Sequence, residues 1–366
     1  MLLYFCLAFG LIYAGWIIYI SSAFRLELQQ HRTPSLKFVT VIVPVRNEAH
    51  HIVHLLEALK RQTFNRNHFE VLIVNDHSDD ETVEIVNQFL LNNSEVNFRL
   101  IHSLNDGKKG AIEEGIKQST GEIIVTTDGD CIMGHNWLQV LYDAFITNEV
   151  SLLAAPVMIQ GSDSIIQLFQ EWDYMAMQVC GLGSLRQKLP LLCSGANLAF
   201  GKSDFYKVNG YYGNEEQVSG DDTFLMLKMA KLKGCVAVLD SNAVVTAQSM
   251  PNLKSVIGQR VRWGSKVKHY QNSYISGAGL LVLMVNALFI FSLGALVAGN
   301  IYPFMSMVFL KMIPDLVVLM KGFRFFSIRY TFSGFLMFII HPFLQLFISL
   351  LSLRGSYEWK GRRFRS

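Results

Sequence analysis

Four stretches of the chain are apolar over roughly the thickness of a bilayer, and the long segment between the first two alternates short apolar runs with amphipathic ones. Met1–Ala23 carries no charged side chain and is followed by Arg25, Arg32 and Lys37. About 20 apolar residues are enough to cross a membrane. Positive charge after the apolar run predicts a retained anchor with the next domain in the cytoplasm, where a cleaved leader would carry its charge before the run. Ala278–Ala298 is a clear second stretch. Ile301–Met320, interrupted by Lys311, Pro314 and Asp315, and Thr331–Leu353, with His341-Pro342 in its middle, are the third and fourth. The basic end, Arg354–Ser366, is also expected on the cytoplasmic side. Four full spans would leave it on the opposite side. One of the two proline-containing stretches is therefore expected to be re-entrant or interfacial, and the sequence leaves open which.

The segment between the anchors reads as strands alternating with helices. Phe38–Val45 is a β-branched run that predicts a buried parallel strand, and it leads into Arg46-Asn47-Glu48. Ile52, Leu55, Leu56 and Leu59 recur at helical spacing within His50–Lys60. Phe69–Val74 is a second strand, ending in Asn75-Asp76, and Glu81–Leu91 a second helix. Phe98–His102 is a third strand, and Gly107-Lys108-Lys109-Gly110 opens a helix through Gln118. Strands and helices of this length in alternation predict βαβ units and a mostly parallel sheet. Beyond these, Gly134–Thr147 predicts a helix, Ser151–Ile159 a strand, Ser164–Cys180 a long amphipathic helix, Leu191–Phe200 a strand and Phe224–Leu232 a helix.

The candidate chemistry collects where strands end. Ile123–Val125 is a fourth buried strand, and it runs into Asp128-Gly129-Asp130. Ligands of open α/β sheets sit outside the carboxyl ends of the strands, so both carboxylates are expected in that crevice. Mg²⁺ and Mn²⁺ take hard oxygen ligands of this kind together with substrate phosphates. Glu48 and Asp76 end neighbouring strands and are placed to hydrogen-bond a base or ribose, whereas Lys108 at a glycine-flanked helix start is placed to meet a phosphate. Asp79 and Asp80 read as a solvated loop. Asp221 and Asp222 precede a helix, where a cap explains one of them and leaves the second carboxylate for chemistry. Gln259-Arg260-Val261-Arg262-Trp263 lies in a basic, aromatic segment, Asn252–Gln271. There Arg260 and Arg262 can meet phosphates and Trp263 a sugar face, alongside service as an interfacial amphipathic helix.

Composition narrows the class. Hydrophobic residues make up 51% of 366, with 26 phenylalanines, in keeping with lipid-embedded segments. A net charge of +3, without a basic stripe, argues against nucleic acid as a partner. Five cysteines without CxxC spacing argue against a zinc site or a disulfide framework and fit a reducing compartment. Neither a dinucleotide fingerprint nor a P-loop is present.

In this order, strand-Pro-x-Arg-Asn-Glu, strand-Asn-Asp, Asp-x-Asp, a paired acid and Gln-x-x-Arg-Trp resemble the membrane-bound family-2 glycosyltransferases. That group contains cellulose and hyaluronan synthases and ceramide glucosyltransferases. The resemblance covers roughly Val39–Trp263. It implies an α/β nucleotide-sugar-binding GT-A-type domain with a mixed, mostly parallel sheet, flanked by transmembrane helices. The implied layout is an anchor over 1–23, a linker over 24–37, the catalytic domain over 38–250, an interfacial helix over 251–274, membrane helices over 275–353 and a cytoplasmic tail over 354–366. By the same resemblance Asp76 and Glu48 contact the nucleoside, Asp128 and Asp130 the sugar diphosphate, Asp130 through Mg²⁺ or Mn²⁺. Asp222 is the implied catalytic base, with Asp221 standing where the family more often has Glu. Gln259, Arg262 and Trp263 are implied to hold the diphosphate and close the acceptor site. The expected reaction is inverting transfer of a sugar from a nucleoside-diphosphate sugar, UDP being the usual nucleotide, to a lipid, lipid-linked or glycan acceptor. The expected setting is a bacterial inner membrane. A processive polysaccharide synthase is the alternative, and a transporter or scaffold with a degenerate nucleotide-binding domain is an alternative of another class.

Overall fold

The computed structural model describes residues 1–27, 37–160, 164–213, 220–329, 331–352, 356–359 and 362–365. Most of the expected linker, Ser219 and much of the basic tail lie outside the described residues. The chain divides into two compact units that do not follow chain order. One comprises 1–25, 159–187 and 249–366, the other 26–158 and 188–248.

Along the chain, helix α1 (Leu2–Ser22) comes first, then β1 (Val39–Val45), α2 (Ile52–Lys60), β2 (Phe69–Asn75), α3 (Thr82–Asn92), β3 (Phe98–His102), α4 (Gly107–Gln118) and β4 (Ile123–Thr126). A short β5 (Ile132–Met133), α5 (Trp137–Asn148), β6 (Leu152–Ala154), β7 (Val157–Gln160) and α6 (Ile165–Arg186) follow. Next are β8 (Leu198–Gly201), α7 (Lys202–Lys207), α8 (Asp221–Met229), β9 (Cys235–Ala237), β10 (Val245–Gln248) and α9 (Leu253–Gly264). The C-terminal part holds α10 (Ser273–Val297), α11 (Ile301–Met307), α12 (Ile313–Phe326), α13 (Phe332–Ser352) and the strands β11 (Ser356–Trp359) and β12 (Arg362–Arg365).

The α/β unit is built on a seven-stranded sheet in the order β3-β2-β1-β4-β8-β6-β9. β1 pairs in parallel with β2 on one side and with β4 on the other, with Val41 opposite both Val71 and Val125. The mostly apolar runs of β1 and β2 are buried, as central parallel strands require, and their one facing polar pair is satisfied internally, Thr40 Oγ1 donating to Glu70 Oε1 at 2.8 Å. β8 is antiparallel to both β4 and β6, which makes the sheet mixed. Because β2 and β3 extend from one side of β1 and β4 lies on the other, the strand order reverses at β1. A crevice at the carboxyl ends of β1 and β4 follows from that reversal.

Two strand boundaries depart from expectation. Ser151–Ile159 is not one strand but two, interrupted by Ala155-Pro156. Proline cannot donate to a ladder, and the Pro156 carbonyl accepts instead from the Val245 N–H at 3.0 Å and from Asn197 Nδ2 at 2.8 Å. Leu191–Phe200 is a strand only from Leu198. Its first half is a loop held by side chains: Thr126 Oγ1 donates to the Gly195 carbonyl at 2.8 Å, and Trp137 Nε1 donates to Asn197 Oδ1 at 2.9 Å.

The other unit is helical. α9 is capped by Asn252, whose side chain accepts from the Ser255 N–H at 2.9 Å. α11 and α12 form one continuous helix, joined by a π-helical turn over Val308–Met312 just ahead of Pro314. The charges that interrupt this stretch in sequence neutralise each other. Lys311 Nζ lies 2.7 Å from Asp315 Oδ2, and Tyr13 Oη donates to Asp315 Oδ1 at 2.5 Å. Among the described residues three helices are long and apolar enough to cross a membrane: Leu2–Ser22, Ser273–Val297 and Ile301–Phe326. The apolar tract in α13, Phe338–Ser352, is shorter.

Candidate active site

The chain leaving β1 is fastened to the chain leaving β2. Arg46 Nη1 donates to the Asp76 carbonyl at 3.3 Å, the Asn47 N–H to Ser78 Oγ at 3.1 Å, and the Asp79 N–H to Asn47 Oδ1 at 3.0 Å. The Glu48 N–H donates to Thr82 Oγ1 at 2.8 Å and the Ala49 N–H to Asp80 Oδ2 at 3.1 Å. Asn47 and His77 both hold left-handed backbone, φ 54° and 53°, a conformation that costs a non-glycine residue and needs such fastening. Asp80 is therefore no solvated loop residue. Burial opposes its charge, yet its hydrogen bonds with Thr82 and Ala49 hold the carboxyl below the usual range. The local signal was Asp80-Glu-Thr82 at a helix start, where short polar side chains bind backbone N–H groups.

Asp76 is buried, and one of its oxygens accepts from the Gly107 N–H at the start of α4 at 2.9 Å. His77 Nδ1 lies 3.4 Å from Asp76 Oδ1 and 3.4 Å from Asp106 Oδ1. These three groups have ligand atoms within 4.8 Å of one another, and two of the three are exposed.

At the end of β4, Asp128 pairs with Lys108, Nζ to Oδ1 at 2.5 Å. Burial works against the Lys108 ammonium, but Asp128, Asp221 and Asp222 outweigh it and hold the pKa above the ordinary lysine value. Asp130 behaves in the opposite way. Burial first, then the charges of Asp128 and Glu48, push its carboxyl up to about 6, against a smaller opposing effect of Lys108. Gly129 explains why Glu48 belongs to this group: a Cβ there would stand 2.9 Å from Glu48 Cγ. Glu48, Asp128 and Asp130 thus concentrate hard-oxygen donors with excess negative charge, a donor set that fits Mg²⁺ or Mn²⁺.

Asp221 and Asp222 form the first turn of α8, behind Gly220 at φ 89°. Neither carboxylate caps the helix in the way expected. Asp222 Oδ2 accepts from the Gly195 N–H at 3.1 Å, and its Oδ1 accepts from the Thr223 N–H at 2.7 Å. A Cβ on Gly195 would lie 3.3 Å from Lys108 Nζ and 3.6 Å from Asp221 Oδ2, so the loop backbone borders the whole cluster. Asp221 is buried and Asp222 half-buried, which makes Asp222 the more accessible of the two. The structure brings Glu48, Lys108, Asp128, Asp130, Asp221 and Asp222 together, with Asp76 at the adjacent strand end. Gly195, a glycine that lets backbone approach a ligand closely, borders the cluster from a loop and not from the strand its apolar flanks predict.

Gln259, Arg262 and Trp263 lie on α9, in the helical unit. Arg260, expected to reach phosphates, does not present its guanidinium. It is 6% exposed, its Nη2 lies 2.7 Å from Asp173 Oδ2, and it stacks over Trp263 at 4.3 Å from the ring centroid. Asp173 Oδ1 is 3.0 Å from His341 Nε2. Burial would raise the Asp173 carboxyl, but Arg260 and His341 hold it low. Trp263 also packs on Tyr174, centroids 5.6 Å apart. Gln259 Oε1 is buried without a hydrogen-bond partner among the described residues.

Residues 40–199, which carry the strand-end carboxylates up to Asp130 and the Gly195 loop, match the family described as Glycosyl transferase family 2. Over those residues the chain is similar to family-2 glycosyltransferases. Its sequence is similar to glycosyltransferase AglE of Haloferax volcanii, 41% identical over 109 residues that cover 29% of this chain and 35% of that protein. It is also similar to an undecaprenyl-phosphate 4-deoxy-4-formamido-L-arabinose transferase of Pseudomonas savastanoi pv. phaseolicola, 32% identical over 96 residues, 26% of this chain and 28% of that one. The matched region spans about a third of the length of these curated relatives. The fold is GT-A-like. It resembles the mannosyltransferase PcManGT from Pyrobaculum calidifontis, solved in complex with GDP-Man and Mn²⁺, with a TM-score of 0.62 and 15% identity over 96% of this chain and 98% of that one.

Proposed function

We propose that this chain is a membrane-bound, inverting glycosyltransferase. It moves a sugar from a nucleoside-diphosphate sugar, with UDP the expected nucleotide, to a hydroxyl of a lipid, lipid-linked or glycan acceptor. The observation that carries this reading is the convergence of Glu48, Asp128, Asp130, Asp221 and Asp222 around Lys108 at the carboxyl ends of β1 and β4. Asp76 and Glu48 bind the nucleoside. Asp128 and Asp130 would hold a divalent ion, Mg²⁺ or Mn²⁺, which would offset the charge of the diphosphate. Lys108, which pairs with Asp128 at the same crevice, would offer its ammonium to the leaving diphosphate. Arg262 and Gln259 serve the same diphosphate and Trp263 the acceptor, a reading that rests on the Gln-x-x-Arg-Trp motif.

In the reaction the acceptor oxygen attacks the anomeric carbon, its proton passes to the Asp222 carboxylate, and the bond from the anomeric carbon to the diphosphate breaks. One displacement with one base inverts the anomeric configuration. A hydroxyl acceptor needs that base, whereas an ionised phosphate acceptor does not, and this bears on the choice of lipid. The Pseudomonas savastanoi relative is named for undecaprenyl-phosphate, so both acceptor classes are to be tried.

Three spans, α1, α10 and the continuous helix of α11 and α12, reconcile the charge pattern. With the transferase domain cytoplasmic after α1, two further crossings return the chain to the cytoplasm, and α13 with its shorter apolar tract lies at the interface. The test is a donor screen on detergent-purified full-length protein with Mn²⁺ or Mg²⁺, measuring nucleoside diphosphate release beside Asp130→Ala. Release from one nucleotide sugar that disappears in the variant is expected; release unchanged by the variant would overturn the reading. A single-sugar product is expected on a gel, and a ladder would mean a processive synthase.

A further inference from the structure

Within the helical unit, three charged or titratable side chains from three helices far apart in sequence meet, two of them buried and the third, His341, 31% exposed. Asp173 comes from α6, Arg260 from α9 and His341 from α13. Asp173 uses both carboxylate oxygens. Oδ2 faces Arg260 Nη2 at 2.7 Å, and Oδ1 faces His341 Nε2 at 3.0 Å. The side chains of Asp173 and Arg260 are 9% and 6% exposed. Desolvating an ion pair is costly, and an apolar pair of similar volume is often as stable or more so. A buried pair is therefore weak evidence of a device for stability alone, and its geometric consequence matters more.

That consequence is local and specific. Arg260 sits inside the Gln-x-x-Arg-Trp motif, one residue from Gln259 and two from Arg262, and its guanidinium lies over the Trp263 ring at 4.3 Å and 5.9 Å from the centroid of Tyr174. Tyr174 neighbours Asp173 on α6 and itself packs on Trp263. Asp173 therefore fixes the position of a planar cation that Trp263 rests on, and Tyr174 closes the stack from the same helix. His341 stands in an apolar helix beside Pro342, and its ring nitrogen meets the same carboxylate. A polar side chain in such a setting calls for a named partner. Rotation of α9 about its axis would break the ion pair and the contacts that Arg260 and Trp263 make with Tyr174 of α6, while the Arg260–Trp263 stack turned with the helix. The rotational setting of Gln259, Arg262 and Trp263 is therefore tied to Asp173 and Tyr174.

We infer that Asp173, braced by His341, is a positioning residue that sets α9 through Arg260 and so determines how tightly the enzyme holds the diphosphate half of its donor. The inference rests on the proposed role of Arg262 at the diphosphate.

The experiment uses full-length protein in detergent and titrates uridine and guanosine di- and monophosphates with Mn²⁺. Wild type is compared with Asp173→Asn, with the double variant Asp173→Leu/Arg260→Met, which keeps the volume without the charges, and with Arg262→Ala. Both Asp173 variants are expected to bind the diphosphate about tenfold more weakly and the monophosphate within about twofold of wild type. Should Asp173→Asn not fold, as judged by its thermal midpoint, His341→Gln takes its place, because it loosens the same carboxylate from the other side. Equal losses for both nucleotides would mean general damage to packing and would overturn the inference. Loss in the double variant alone would mean that Arg260 itself meets phosphate and would overturn it as well. An Arg262→Ala protein with unchanged diphosphate affinity would instead remove the reading beneath it. Arg262→Ala weakened while Asp173→Asn binds normally would remove the inference and leave that reading intact.

Discussion

Lys108 Nζ lies 2.5 Å from Asp128 Oδ1, so the first carboxylate of the Asp-x-Asp motif is already paired with the cation that starts α4. The pair couples two expectations that the sequence kept apart, a phosphate-binding lysine and a metal-binding aspartate. Replacing Lys108 by Met leaves Asp128, Asp221 and Asp222 without their shared counter-charge. We expect kcat/KM for the nucleotide sugar to fall roughly 100-fold, the size of loss found when one donor to a developing anion is removed. Steady-state kinetics across donor concentrations check this, and a change under threefold would exclude the lysine from the leaving-group site.

Asp130 predicts a pH-dependent stability in metal-free protein. Its folded pKa, about 6, lies above the ordinary carboxyl value, so the folded chain holds that proton more tightly than the unfolded chain does. The associated stability is present below about pH 4 and is lost as pH rises through about 6. With EDTA at pH 7.5, Asp130→Asn should be more stable than wild type by about 1–2 kcal/mol, discounted for the site's partial access to water. At pH 4 the gain should vanish. Thermal unfolding at both pH values measures it, and Mn²⁺ should stabilise wild type but not the variant.

Gly129 offers a sterically defined probe. Alanine there places a Cβ 2.9 Å from Glu48 Cγ, whereas at Gly134, five residues on, nothing lies within 4 Å. Gly129→Ala should displace Glu48 and raise the donor KM by about tenfold, with Gly134→Ala close to wild type. Equal kinetics for the two variants would mean that Glu48 does not contribute to donor binding.

Asp80→Ala removes the acceptor for the Ala49 and Thr82 N–H groups and frees the loop that carries Glu48. Leaving such donors unpaired costs about 1–3 kcal/mol, visible as a lowered thermal midpoint. The donor KM should rise with it, because Glu48 is displaced. A lowered midpoint with unchanged KM would confine Asp80 to stability.

Asp222→Asn should reduce transfer to a hydroxyl acceptor by about 10²–10⁴-fold, and Asp221→Asn by less. The assay is radiolabelled transfer to lipid alcohol and lipid phosphate in parallel. Near-normal transfer by Asp222→Asn to either acceptor would show that this acceptor needs no base from Asp222.

The parallel part of the fold was legible because each central strand is a mostly apolar, β-branched run and each ends in a chemically marked residue: Glu48 after β1, Asp76 after β2, Asp128 after β4. Period and propensity are local, so they survive translation into structure. Pro156 and Asn197 show where that fails. Both sit in runs that look like strand, and only the partners across the chain, Val245 and Trp137, make one a break and the other a buried hydrogen-bond hub. Lys311 and Asp315 show the same limit in the helical unit. In sequence they interrupt an apolar stretch, but in three dimensions they pair with each other and with Tyr13.

By itself the sequence determined the order of elements, the apolar helices, the motifs of the family and the residue types available for chemistry, because these depend on neighbours within a few positions. Tertiary structure alone decided which charges meet. It paired Lys108 with Asp128, set Glu48 against Gly129, raised the Asp130 carboxyl, tied Asp222 to the Gly195 backbone and took Arg260 away from solvent to Asp173. Electrostatic and steric effects act over a few ångströms of space whatever the distance along the chain, and no local pattern records that separation.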